Sequence, residues 1–219
     1  MSYEFASDAI DVLSIAMLIA ALGIVWTRSL GWALVLFGTQ SLMLAGAALY
    51  AGLATDSPHI VAAAGLTAMV KVIAAPALLW LLLQRLPTSH DAQPSLGQRT
   101  GLVLAVLMAL VFARTLDAQP FHTAIGAEHV LPTSVTVMLI GIQVMVTHRQ
   151  ALSQVIGFLV LENGMALAAL TAAYGMPLIV EFGIFLDLLL AVFVAFVYTQ
   201  RMHVIFGSLD TERLRSLRG

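Results

Sequence analysis

The stretch IVAAAGLTAMVKVIAAPALLWLLLQR, Ile60 to Arg85, decides the fold. It is apolar for long enough to cross a hydrocarbon core of about 30 Å at about 1.5 Å per residue, yet it carries Lys71 near its middle. A charged residue at that depth is penalised by roughly 2.5–3.5 kcal/mol on insertion scales, so it needs a partner, water or a change of protonation. The same holds for Glu162 in GFLVLENGMAL and for Glu181 and Asp187 in LIVEFGIFLDLLL. These four ionisable residues are where the chemistry of the chain is to be sought.

Composition places the surrounding sequence in a membrane: 60% of the residues are hydrophobic, 10% are charged, and the long apolar runs show no polar face to set in water. The expected fold is an all-α, polytopic membrane helix bundle. The N-terminus, MSYEFASDAIDVL, is acidic where a signal peptide would be basic, so the first apolar segment is expected to stay attached. The chain has no cysteine, and therefore no thiolates for an iron–sulfur cluster. Its six histidines fall in predicted loops or at helix ends. No cofactor and no metal site is expected, and nothing points to a nucleic-acid partner.

Seven spans are expected, near Asp8–Trp26, Leu30–Leu53, Ile60–Gln84, Leu96–Leu116, Val130–Thr147, Ala151–Tyr174 and Leu178–Thr199. The fourth has the shorter uncharged run, between Arg99 and Arg114, and crosses if both arginines extend toward opposite interfaces. Loop charge supports keeping it. With seven spans Arg28, Arg85, Arg99, Arg149, Arg201, Arg213, Arg215 and Arg218 share one side, which is the cytoplasmic one because Lys and Arg concentrate there. Glu4, Asp8, Asp11, Asp56, Asp117 and Glu128 take the other side with Arg114. The N-terminus is then outside and the C-terminus inside. The chain reads as one membrane domain, with four N-terminal helices over residues 1–129 and three helices plus a cytoplasmic tail over residues 130–219.

Ile60–Arg85 also aligns with Met176–Arg201 at an offset of 116, both ending in Gln-Arg, which sets Lys71 opposite Asp187. Transport proteins place ion sites where such repeats meet. Each buried charge has a plain reading beside the functional one. Lys71 would serve as an anchor by pairing with a carboxylate of a neighbouring helix. Its setting favours transport, because Pro76 has no N–H for the Val72 carbonyl, leaving a polar irregularity one residue from the lysine. Glu162 would be a protonated structural carboxyl, or a proton carrier flanked by Asn163, with Gly157 and Gly164 allowing close helix approach. Asp187 lies at similar depth on the next helix. Glu181 sits nearer the outer end, as an interfacial residue or an entry point. Gln40 and Gln143 read as ties between helices.

The segments AMVKVIAAPALL, THRQALSQVIGFLVLENGMAL, LIVEFGIFLDLLLAVFVAFVY and GSLDTERLRSLRG, in this order and spacing, resemble component E of hydrogenase-4 and formate hydrogenlyase-type complexes. The last three spans are also similar to the small K subunit of respiratory complex I, in which a glutamate in each of two neighbouring helices is associated with proton movement. Asp187 stands where the second would be. Glu162 departs from the pattern by about one turn if Gly157 is the shared glycine, which keeps roughly the same helix face.

The resemblance implies a membrane-arm subunit of a multi-subunit complex in the bacterial or archaeal cell (inner) membrane. Its partners would be antiporter-like membrane subunits and a peripheral hydrogenase-type module with iron–sulfur subunits. This chain would not catalyse the redox reaction; Lys71, Glu162, Asp187 and Glu181 would contribute to the proton or ion path. Two other readings remain: a small subunit of a multi-subunit cation/proton antiporter, which would need only the last three spans, and an assembly scaffold with inert, paired charges.

Overall fold

The computed structural model describes residues 3–85, 97–117, 130–148 and 150–172. Among them all extended regular structure is helical: α1 Tyr3–Trp26, α2 Leu30–Ala54, α3 Pro58–Thr67, a π-helical segment Ala68–Ala74, α4 Ala75–Arg85, α5 Gln98–Asp117, α6 Val130–Thr147 and α7 Ala151–Ala172. Six of the seven expected spans are thus helices with nearly the expected limits, α3, the π segment and α4 together forming the third. The seventh, Leu178–Thr199, lies outside the described residues, and with it Glu181, Asp187 and the second copy of the expected repeat.

Five segments are long and apolar enough to cross a membrane: Phe5–Trp26, Leu30–Ala54, Pro58–Leu81, Val130–Thr147 and Leu152–Leu170. The 20-residue α5 is not among these five, but it packs along α1 and α6 as a full-length member of the bundle. Contacts between the ends show successive helices alternating in direction. At one end, Arg28 Nε donates to Gln98 Oε1 at 3.0 Å, Gln98 Nε2 donates to the Trp26 carbonyl, and Trp80 faces Gly31. At the other, Ile10, Ala47, Ala51, Ile60, Val130, Leu167 and Leu170 share one apolar core.

The connections explain themselves locally. After α2, Thr55 Oγ1 donates back to the Ala51 carbonyl at 2.8 Å, and Asp56 takes φ 50°, the left-handed region that Asp tolerates better than most residues. Gly52 is required here, since a Cβ would fall 2.9 Å from the Val61 amide nitrogen. Pro58 opens α3, where its missing N–H has no intrahelical acceptor to serve.

Glycine also governs α6 and α7. A Cβ on Gly141 would lie 2.5 Å from the Leu161 nitrogen and 2.7 Å from the Gly157 oxygen, and one on Gly164 would lie 2.9 Å from the Ser134 oxygen. The two backbones therefore touch at several levels of an antiparallel pair. Without a difference in hydrophobicity between lipid and side chain, such close approach is a main source of helix association in membranes. The hydroxyls on α6 do not disturb it: Ser134 and Thr136 donate to the carbonyls of Leu131 and Pro132, both at 2.8 Å.

The third span is continuous, as expected, and the irregularity at Pro76 takes the form of a π turn. In the α register Pro76 would face the Val72 carbonyl with a ring and no donor. The chain instead widens by a turn, and the Ala75 N–H reaches back five residues to the Val70 carbonyl. That insertion has a geometric consequence. Among the described side chains of the span, the buried ones are Ile60, Ala64, Lys71, Leu79 and Leu83. At about 100° per residue, the seven residues from Ala64 to Lys71 return to the same face, but the eight from Lys71 to Leu79 would miss it by about 80°. A π turn absorbs about one residue, so Leu79 and Leu83 come back into the stripe that holds Lys71.

Candidate functional site: a buried ion pair and its polar flank

Lys71 and Glu162 meet. Lys71 Nζ lies 3.4 Å from Glu162 Oε1, with side chains 6% and 2% exposed. The lysine comes from the π segment and the glutamate from the middle of α7, and both elements pack against α2. On either side of Lys71 the chain turns outward: Met69 and Ile73 are 68% and 65% exposed. The π turn thus presents one cation inward from a stretch in which Met69 and Ile73 face out. Two opposite charges at this distance offset much of each other's desolvation, which a lone charge would carry in full.

A neutral polar cluster adjoins the pair. Asn163, one residue beyond Glu162 and fully buried, donates from Nδ2 to Gln40 Oε1 at 3.2 Å and to Ser41 Oγ at 3.0 Å. Gln40 Nε2 donates in turn to the Met17 carbonyl at 3.2 Å. All of these residues stand near mid-span, so the ties link α7 to α2 and α2 to α1 at the depth of the ion pair. The reading of Gln40 and Gln143 as ties between helices is met, since Gln143 Nε2 donates to the Gly101 carbonyl of α5 at 2.7 Å. That reading gave Gln40 no place beside the charged site, and Ser41 was not singled out. The run Thr39-Gln40-Ser41 in mid-span is the signal that marks them.

Among the described residues no group of three or more His, Asp or Glu side chains is placed to hold a metal ion. His148, just beyond α6, is buried at the end of the bundle shared by Arg28 and Gln98. Its Nδ1 lies 3.0 Å from the Val144 carbonyl and 3.1 Å from Thr147 Oγ1. Burial holds its pKa below the usual 6.5, against the raising effect of the Val144 carbonyl. The unfolded chain then binds more protons than the folded one between the two values. Stability contributed by the neutral ring is present above about pH 6.5 and is lost as pH falls below it. Thermal unfolding in detergent should show a loss between pH 7.5 and 5.5 that His148→Gln reduces.

Helices of this length and apolarity, closed around a buried ion pair, define a multi-pass membrane protein. The chain is 34% identical to "Uncharacterized protein Rv0085" of Mycobacterium tuberculosis over the whole length of both, and it belongs to the family of that protein. It is also related to "Hydrogenase-4 component E" of Escherichia coli and of Shigella flexneri, each 26% identical over 151 residues, which cover 69% of this chain and 70% of the relative. No protein-family model matches the chain, and no solved structure matches it.

Proposed function

We propose that this chain is a membrane-arm subunit of a hydrogenase-4-type complex, and that Lys71 and Glu162 form the central station of its proton or ion path. The observation that carries the reading is the Lys71–Glu162 pair itself, held at mid-depth by a π turn. Glutamate and lysine in contact can exchange a proton by small changes in separation and hydration. The relation to hydrogenase-4 component E supports the setting: antiporter-like neighbours in the bilayer, and a peripheral hydrogenase-type module with iron–sulfur subunits that performs the redox chemistry. In this reading the chain has seven spans with the N-terminus outside, Asp187 continues the path beyond Glu162, and Glu181 lies near one of its ends.

The test is Glu162→Gln in the intact complex. Yield should fall somewhat, because Lys71 loses its counter-ion, and redox-driven proton movement into membrane vesicles, counted per assembled complex, should fall at least tenfold. Unchanged pumping would remove Glu162 from the path. Lost yield, rescued together with pumping by Lys71→Gln in the same chain, would instead identify the pair as an inert anchor.

A further inference from the structure

We infer that a water molecule is held against Asn163 Oδ1, between α1, α2 and α7, and that it extends the proton path from the Lys71–Glu162 pair toward α1. The second half of this inference rests on the function proposed above; the first does not. Both hydrogens of the Asn163 amide are spent, on Gln40 Oε1 and Ser41 Oγ, while Oδ1 is buried with no hydrogen-bond partner among the described residues. Turning the amide over does not relieve it, because the oxygen would then face the Gln40 oxygen and strand the nitrogen. A buried polar atom left without a protein partner marks the place of an ordered water or an ion.

Water fits this place better than a cation. Metal cations gather several oxygens, whereas Asn163 Oδ1 is a single acceptor in a cluster of neutral side chains. The missing element is a hydrogen-bond donor, which water supplies. Further polar groups lie along α1: the Met17 carbonyl takes the Gln40 N–H, and one turn nearer the N-terminus Ser14 is fully buried, its hydroxyl donating to the Asp11 carbonyl at 2.8 Å. A water at Asn163 Oδ1 would sit on the residue next to Glu162, whose amide is already tied to Gln40 and Ser41 of α2.

Asn163 is the only asparagine in the chain, so asparagine labelled with ¹³C at Cγ reports on this one site. The full-length protein, so labelled and also carrying ¹³C-methyl isoleucine and valine, is placed in phosphatidylethanolamine–phosphatidylglycerol vesicles, and magnetisation is transferred from water protons in solid-state NMR. A build-up at Asn163 Cγ several times faster than at the methyls of Ile10 and Val137 is expected; a build-up as slow as theirs overturns the inference. In the second arm, Asn163→Leu in the assembled complex should lower proton movement at least tenfold. A wet carbonyl with undiminished transport in Asn163→Leu would overturn the path and leave a structural water. A wet carbonyl with Glu162→Gln also inert would sink the proposed function while upholding the hydration.

Discussion

Lys71→Met should lower the unfolding temperature of the detergent-solubilised protein by on the order of 10 °C, whereas the double change Lys71→Met with Glu162→Met should restore most of the loss. Removing one member of a buried pair leaves the other charge without its counter-ion, at a cost of about 3–5 kcal/mol, and in a protein of this size each kcal/mol moves the midpoint by about 2–4 °C. Removing both leaves only a difference in packing, which is often near neutral. The non-additivity is the signature, and it follows from a separation of 3.4 Å with both side chains almost wholly buried. If the two single changes and the double change simply add, the two residues act independently and the ion pair does not form in the folded protein.

Gly141→Ala should cost about 1–3 kcal/mol or more, and Gly141→Leu should abolish folded protein altogether. The added carbon would fall 2.5 Å from a backbone nitrogen of α7, and no side-chain rotation relieves a clash with backbone. The helices would have to separate, releasing the contacts at Gly157 and Gly164 with them. Gly65→Ala is the matched control, being a helical glycine whose Cβ would meet nothing within 4 Å. There the change should be neutral or stabilise by about 0.5–1 kcal/mol, as alanine restricts the unfolded chain more than glycine does. Yield and thermal midpoint of the two variants, side by side, separate a helix-contact effect from a general effect of losing glycine.

How much of this was legible in the sequence depends on what makes each residue necessary. Lys71 and Glu162 stand out because a charge in an apolar run is costly, and that cost is a property of the run itself. That Lys71 would pair with a carboxylate of another helix was legible, but not that the carboxylate is Glu162, since this depends on how the π segment and α7 both pack against α2. Gly157 and Gly164 showed themselves beside Glu162. Gly141 did not, because its necessity is imposed by the backbone of another helix. Gln40 and Ser41 were passed over or set aside, since neutral polar groups are common in membrane helices and only Asn163 gives these two their place beside the ion pair. Pro76 announced a disturbance but not its form. Whether the helix breaks or widens depends on whether Leu79 and Leu83 must return to the face of Lys71, which is a matter of tertiary packing.

The third span is held to the rest of the bundle by a narrow stripe of contacts, with a salt link at its centre and most of its length turned outward. A helix fastened in this way has a latch that one proton undoes. When a proton settles on the Glu162 carboxylate, or leaves the Lys71 ammonium, the attraction holding the middle of the span vanishes while the small apolar contacts above and below it stay. In the proposed reading, the freedom of this helix to shift would be tied to the charge state of one pair, and a neighbour on its outward face would feel that state as a mechanical change.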